Sequence, residues 1–147
     1  MLGSFGSHGG SVASGTFINC VAGAFSFGFE GLAGEPSGIF VDCIGEDLSF
    51  GGHGTVSGSV SGQFYRCWLK ASSWKGQMAG RMEDCRWEAD LTLLDGARVY
   101  DCAVAGAITN SGSGNVRLAH NRCRSLLLGN LTNLIGTAYN VIDTDID

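Results

Sequence analysis

Apolar and polar positions alternate along this chain in short runs. Each run stops at glycine, asparagine or aspartate, and no stretch sustains the 3.6-residue period of an amphipathic helix. Six runs end in cysteine: SGTFINC (14–20), SGIFVDC (37–43), SGQFYRC (61–67), AGRMEDC (79–85), GARVYDC (96–102) and RLAHNRC (117–123). Aligned on the sulfur, the position three before it reads Phe17, Phe40, Phe64, Met82 and Val99, with His120 breaking the column. Glycine stands five before in the first four copies, followed by Ala97 and Leu118. A second alternating element follows the first three cysteines at constant distance: Phe25-Ser26-Phe27, Leu48-Ser49-Phe50 and Ser72-Ser73-Trp74. Leu91-Thr92-Leu93 is a shifted fourth version.

Self-similarity at intervals of 17 to 24 residues means stacked supersecondary units. Short strands punctuated by turn residues predict an all-β fold, a right-handed parallel β-helix (solenoid) of about six coils. Each coil adds about 4.8 Å of rise, the strand spacing. The hand follows the general preference of parallel crossovers. The coils occupy residues 1–125, and an irregular capping segment, residues 126–147, covers the last of them. FEGLAGEP (29–36) and NSGSGN (110–115) read as protruding loops. Ser4-Phe5-Gly6 repeats the second element without a first one before it, so the chain is expected to be a piece of a longer β-helix or to carry an unusual cap on its first coil.

In such a stack the chemically meaningful objects are columns. Cysteine is a small, readily buried hydrophobe, and the six are expected to form one reduced internal file. In-register Cβ atoms about 4.8 Å apart exceed the usual span of a disulfide, and one thiol per coil does not converge on zinc. The residue before each cysteine (Asn19, Asp42, Arg66, Asp84, Asp101, Arg122) suits a left-handed turn in its Asn and Asp members. The column reads as a mixed charge ladder in which Asp84 and Asp101 are the candidate pair for a cation. No cofactor is implied. Three residues after the cysteine stand Glu46, Lys70 and Glu88. Glu46 and Glu88, two coils apart, are the one arrangement resembling an acid/base pair of a glycosidase, although Lys70 between them would hold both ionised.

Beside the turn column, Ile18, Val41 and Tyr65 on one side and Val21, Ile44 and Trp68 on the other are expected to face outward. Contiguous exposed apolar side chains usually mark an interface, so these six are the candidate surface for a subunit or partner contact, with sugar stacking on Trp68 and Tyr65 as the alternative. Trp74 and Trp87 fall on inward positions, whereas His8 and His53 occupy equivalent loops too far apart to share a metal.

Composition narrows the classes further. The 24 glycines and single proline, Pro36, come with plentiful aromatics and aliphatics, which excludes a disordered chain. The net charge of −5, with few and scattered Lys and Arg, argues against nucleic acid. No apolar run approaches the length of a membrane span, and the N-terminal residues show no basic-then-apolar secretory pattern.

The series SGTFINC, FSFGF, SGIFVDC, LSFGG, SGQFYRC, with the ending LTNLIGTAYNVIDTD, resembles the β-helical, pectin-lyase-like regions of bacteriophage tail fibres and tailspikes. The resemblance spans about residues 4–140. It implies a virion appendage, often trimeric, that recognises or degrades surface polysaccharide. The pectate-lyase branch implies clustered Asp ligands for calcium and an Arg base, and no such cluster with a facing Arg can be placed here. The expected function is a structural and adhesive module displaying loops for glycan recognition. The alternative is a carbohydrate-active enzyme, a polysaccharide lyase or glycoside hydrolase, with Glu46 and Glu88 in a groove along one face.

Overall fold

The computed structural model describes residues 14–23, 27, 37–46, 49–50, 58–71, 76–111, 115–128, 134–135 and 140–142. Among these every regular element is a strand. In chain order they are β1 (Thr16–Ile18) and β2 (Val21–Ala22), then β3 (Ile39–Val41), β4 (Ile44–Gly45) and β5 (Gly58–Val60). Next come β6 (Gln63–Tyr65), β7 (Trp68–Leu69) and β8 (Gly76–Met78), followed by β9 (Arg81–Glu83), β10 (Arg86–Trp87) and β11 (Leu91–Leu93). The last are β12 (Arg98–Tyr100), β13 (Ala103–Asn110), β14 (Val116–Ala119), β15 (Arg122–Leu128), β16 (Leu134–Ile135) and β17 (Val141–Ile142).

All pairings are parallel, and they wind the chain into a β-solenoid of about four turns. One sheet stacks β1, β3, β6, β9, β12, β14 and β16 in sequence order. The second begins as β2, β4, β7, β10 and β13. A further row, β5, β8 and β11, joins it because the long β13 pairs with β10 through its first residues and with β11 through its last. The expected stacking of repeats is therefore present.

One residue at each corner from the first sheet to the second turns the chain. Asn19, Asp42, Arg66, Asp84, Asp101 and His120 all have φ between 51° and 56°. Asn and Asp tolerate this left-handed conformation better than other residues with a Cβ. The corner costs no backbone hydrogen bond. Asn19 N–H donates to the Val41 carbonyl, Asp42 to Tyr65, Arg66 to Glu83, Asp84 to Tyr100 and Asp101 to Ala119, each at 3.0–3.1 Å.

The corner file corrects two expectations. Its sixth member is His120, not Arg122, so Asn121 occupies the place of the sixth thiol. Ala103 pairs with Arg122 and Val104 with Cys123, which moves Cys123 one inward position along the second sheet. Asn121 is fully buried and accepts Cys102 N–H at 3.0 Å through Oδ1. Its Nδ2 donates to the Val99 carbonyl at 2.9 Å and to Asn140 Oδ1 at 3.0 Å. The thiol file thus holds Cys20, Cys43, Cys67, Cys85 and Cys102 and passes into an asparagine pair.

The second repeated element also differs from expectation. The described residues Phe27, in a bend, and Ser49 and Phe50, in a turn, are joined by Phe27 N–H to the Ser49 carbonyl at 2.8 Å. The strand row lies later in each coil, and Leu93 pairs with Met78 rather than with the Ser72–Trp74 segment. Phe25, Trp74, His8, His53 and Ser4-Phe5-Gly6 lie outside the described residues, as do the loop 29–36 and residues 112–114.

The core runs up the middle. Phe17, Phe40 and Phe64 stack with centroids 5.0–5.1 Å apart. Phe27 and Phe50 form a parallel file at 5.2 Å, set edge-on to the first. Such pairs add roughly 0.5–1.5 kcal/mol each beyond burial. Above them Met82, Val99, Leu118, Met78, Leu91, Leu93 and Ile108 continue the core with aliphatic side chains, and Trp87 is buried as expected. Among the described residues no helix is long and apolar enough to cross a membrane.

Tight stacking leaves no room for a side chain at Gly80, where a Cβ would collide with the Gly62 carbonyl and Ser61 backbone of the coil below. Gly80→Ala is expected to destabilise the chain by about 1–3 kcal/mol, the cost of overpacking. A lowered urea midpoint at unchanged slope checks this, and an unshifted midpoint would contradict the register at this corner.

Candidate functional site

Strands β1, β3, β6, β9 and β12 of the first sheet are three residues long, so the middle residue points inward and the outer two point outward. Two outward files result. One reads Ile18, Val41, Tyr65, Glu83, Tyr100 and Ala119, and the other Thr16, Ile39, Gln63, Arg81, Arg98 and Arg117. Across the corner, the second sheet presents Val21, Ile44, Trp68, Arg86, Ala103 and Arg122.

The six apolar candidates therefore lie as two strips on adjacent faces, one on each side of the corner file. Ile18 is 58% exposed, Val21 64% and Trp68 42%, while Val41, Ile44 and Tyr65 are half-buried. Ile39 extends the first strip and was not singled out by the sequence. Between the strips, Arg66 grips Asp42 with two hydrogen bonds of 2.7 Å. That guanidinium holds the Asp42 carboxyl below the usual carboxylate range. Both groups are solvent-exposed, so the pair orients the corner and adds little stability.

Upward, the faces become polar. Arg81 bonds Glu83 and lies 5.6 Å from the Tyr65 ring centre and 5.7 Å from that of Tyr100. Trp68 has the Arg86 guanidinium 5.6 Å and the Lys70 ammonium 6.0 Å from its ring centre. Both contacts fall within the range of cation–π attraction.

Glu46, Lys70 and Glu88 share a file, as expected, but with unequal partners. Lys70 Nζ donates to both Glu46 oxygens at 2.9 Å. Glu88 Oε1 instead accepts Trp68 Nε1–H at 2.6 Å, with Arg86 Nε at 3.6 Å. Both oxygens of Glu46 thus accept from one ammonium. Asp101 faces His120, with Nδ1 3.3 Å from Oδ1, in place of the expected Arg122. Among the described residues no three His, Cys, Asp or Glu side chains converge on a metal position, and Asp84 with Asp101 does not make such a group.

The thiols are chemically quiet. All six are free. Each of the first five donates weakly to the carbonyl two residues back, at 3.1–3.4 Å. The neighbouring Cys102 thiol and burial push Cys85 up to about 12. The Cys67 thiol and burial push Cys43 up as well.

The correct frame exposes what the cysteine alignment hid. With Asn121 in the thiol column, Arg117 falls directly above Arg98 and Arg81. Three arginines thus stand in succession on one face of an acidic chain. A cleft of about 250 Å³ opens beside them, lined by Gln63, Ala79, Gly80, Arg81, Gly96 and Arg98. Gly96 sets its mouth, with φ +86° and nothing within 4 Å of where a Cβ would stand.

Comparison with protein-family models, with curated proteins and with solved structures finds no match to this chain.

Only Cys20, which is half-buried, is expected to react with a thiol reagent in the native protein near pH 8. The other thiols are buried, and the thiolate, not the thiol, is the nucleophile. Mass spectrometry of the labelled chain should show one fast adduct and the rest only on unfolding. Several fast adducts would contradict a closed file.

Proposed function

We propose that this chain is a structural and adhesive rod segment, a right-handed parallel β-helix of six coils from a phage-type tail appendage. It self-associates as a homo-oligomer, in keeping with the trimers its resemblance implies, and displays surface features to polysaccharide. The observation that carries this reading is the unbroken register of corner hydrogen bonds from Asn19 to Ala119. A chain bonded to itself at every coil is stiff along its axis, and stiffness is what an appendage requires.

The exposed strips of Ile18, Ile39, Val21 and Trp68 support self-association. They cluster at the low-numbered coils, while Glu83, Arg86 and Arg122 bring charge to the same files later and Val141 is exposed at the far end of the second. The competing reading, a carbohydrate-active enzyme using Glu46 and Glu88, draws less support from the site. Lys70 occupies Glu46, and Trp68 with Arg86 occupies Glu88.

Light scattering coupled to size exclusion tests the assembly. The parent chain is expected to elute as a homo-oligomer, and Ile18→Ser with Val21→Ser to shift it to monomer. A parent that stays monomeric across the soluble range would overturn the reading.

A further inference from the structure

We propose that the arginine file Arg81, Arg98 and Arg117, with the cleft beside it, binds an extended saccharide bearing one carboxylate per sugar ring. The inference rests on the adhesive part of the function proposed above and specifies the chemistry of the ligand.

The geometry begins with the register. Arg81 pairs with Arg98, and Arg98 with Arg117, on neighbouring parallel strands. Three guanidinium stems therefore rise along the rod at about the 4.8 Å strand spacing. Stacking like charges is unfavourable on a sheet face, and the fold relieves it only at the bottom. Arg81 bonds Glu83, whereas among the described residues neither Arg98 nor Arg117 has an ion-pair partner, and both are exposed. Arg81 also keeps its Nε–H buried without an acceptor at the cleft wall.

Unspent guanidinium donors select planar oxyanions, which they bind through paired hydrogen bonds. A row of them along one line selects a linear ligand with repeated anions. The flanking Tyr65 and Tyr100 offer amphipathic rings beside that line. The cleft gives it a concave floor lined by the small residues Ala79 and Gly80, with Gly96 at its mouth. The surroundings decide against a denser polyanion. Glu83 on the adjacent file and Asp84 and Asp101 on the corner add negative charge beside the arginines, and the chain as a whole carries −5. Duplex nucleic acid, with its two strands of phosphates, would bring more negative charge against these carboxylates than a single chain with one carboxylate per ring.

Titration calorimetry with a mannuronate hexamer tests this on the full chain. Controls are the neutral mannose hexamer, the mannuronate monomer and a single-stranded oligothymidylate. The hexamer is expected to bind, with affinity falling as salt rises, and the neutral hexamer to give no heat. The monomer should bind at least about tenfold more weakly. Removing each charge by Arg98→Gln or Arg117→Gln is expected to cost roughly tenfold, the scale of a charged hydrogen bond. Arg98→Lys should restore part of the loss. Both positions are exposed, and an unchanged melting curve shows that the fold survives.

Equal binding of the neutral hexamer, equal binding of the monomer, tighter binding of the oligonucleotide, or undiminished affinity in the double Gln variant would each overturn the inference. Light scattering of the same samples separates it from the assembly reading. An oligomer that binds no hexuronate sinks this inference alone, and a monomer that binds it sinks the assembly alone.

Discussion

At each corner from Asn19 to Asp101 a single residue turns left-handed and donates its N–H to a carbonyl of the next coil. Everything else depends on that bond. It satisfies a backbone donor that a sharp turn would otherwise leave to solvent, and it sets the height of each coil against its neighbour. Once the height is set, three-residue strands on one side and two-residue strands on the other fall into register. Parallel pairing then continues through coils whose loops differ in length, because the loops leave after the register has been fixed.

The corner also explains the cysteines. The side chain that follows a left-handed residue here points inward beneath a carbonyl, and it must be small and able to donate. A thiol does so weakly, and Asn121 does so with a full amide that reaches the Val99 carbonyl and Asn140 together. The five thiols are thus packing and hydrogen-bonding groups, and the high proton affinity of Cys43 and Cys85 follows from their crowding and burial. Arg66, like His120, departs from the Asn and Asp of the other corners. It lacks the short polar side chain that eases this conformation, and its bidentate grip on Asp42 one coil below holds it in place.

Much of this was legible in the linear order of residues. The alternation around Phe17, Phe40 and Phe64 marks the inward file because a parallel stack places like on like, and Asn and Asp before cysteine mark the corner because few other residues accept it. Cys123 misled for a physical reason. It is buried, like the others, but in the neighbouring column, so residue identity alone could not separate two small apolar positions. The pair Ala119-His120-Asn121 and Ala138-Tyr139-Asn140 carried the true frame, since asparagine substitutes for the thiol at its hydrogen bonds. The second element was misplaced because Phe27 and Phe50 alternate like strand residues while lying in a bend and a turn, their rings held by the aromatic core. The arginine file stayed hidden until Arg117 moved into line, whereas the pairing of Glu46 with Lys70 followed directly from the repeat.

The register at the upper corner is the claim most directly open to measurement. Scalar couplings across hydrogen bonds, read by NMR on the labelled chain, report which carbonyl each corner amide meets. The account predicts a coupling from Asp101 N–H to the Ala119 carbonyl, alongside those from Asp84 to Tyr100 and Arg66 to Glu83. A coupling from Asp101 N–H to the Asn121 carbonyl would place Cys123 in the thiol file and contradict it.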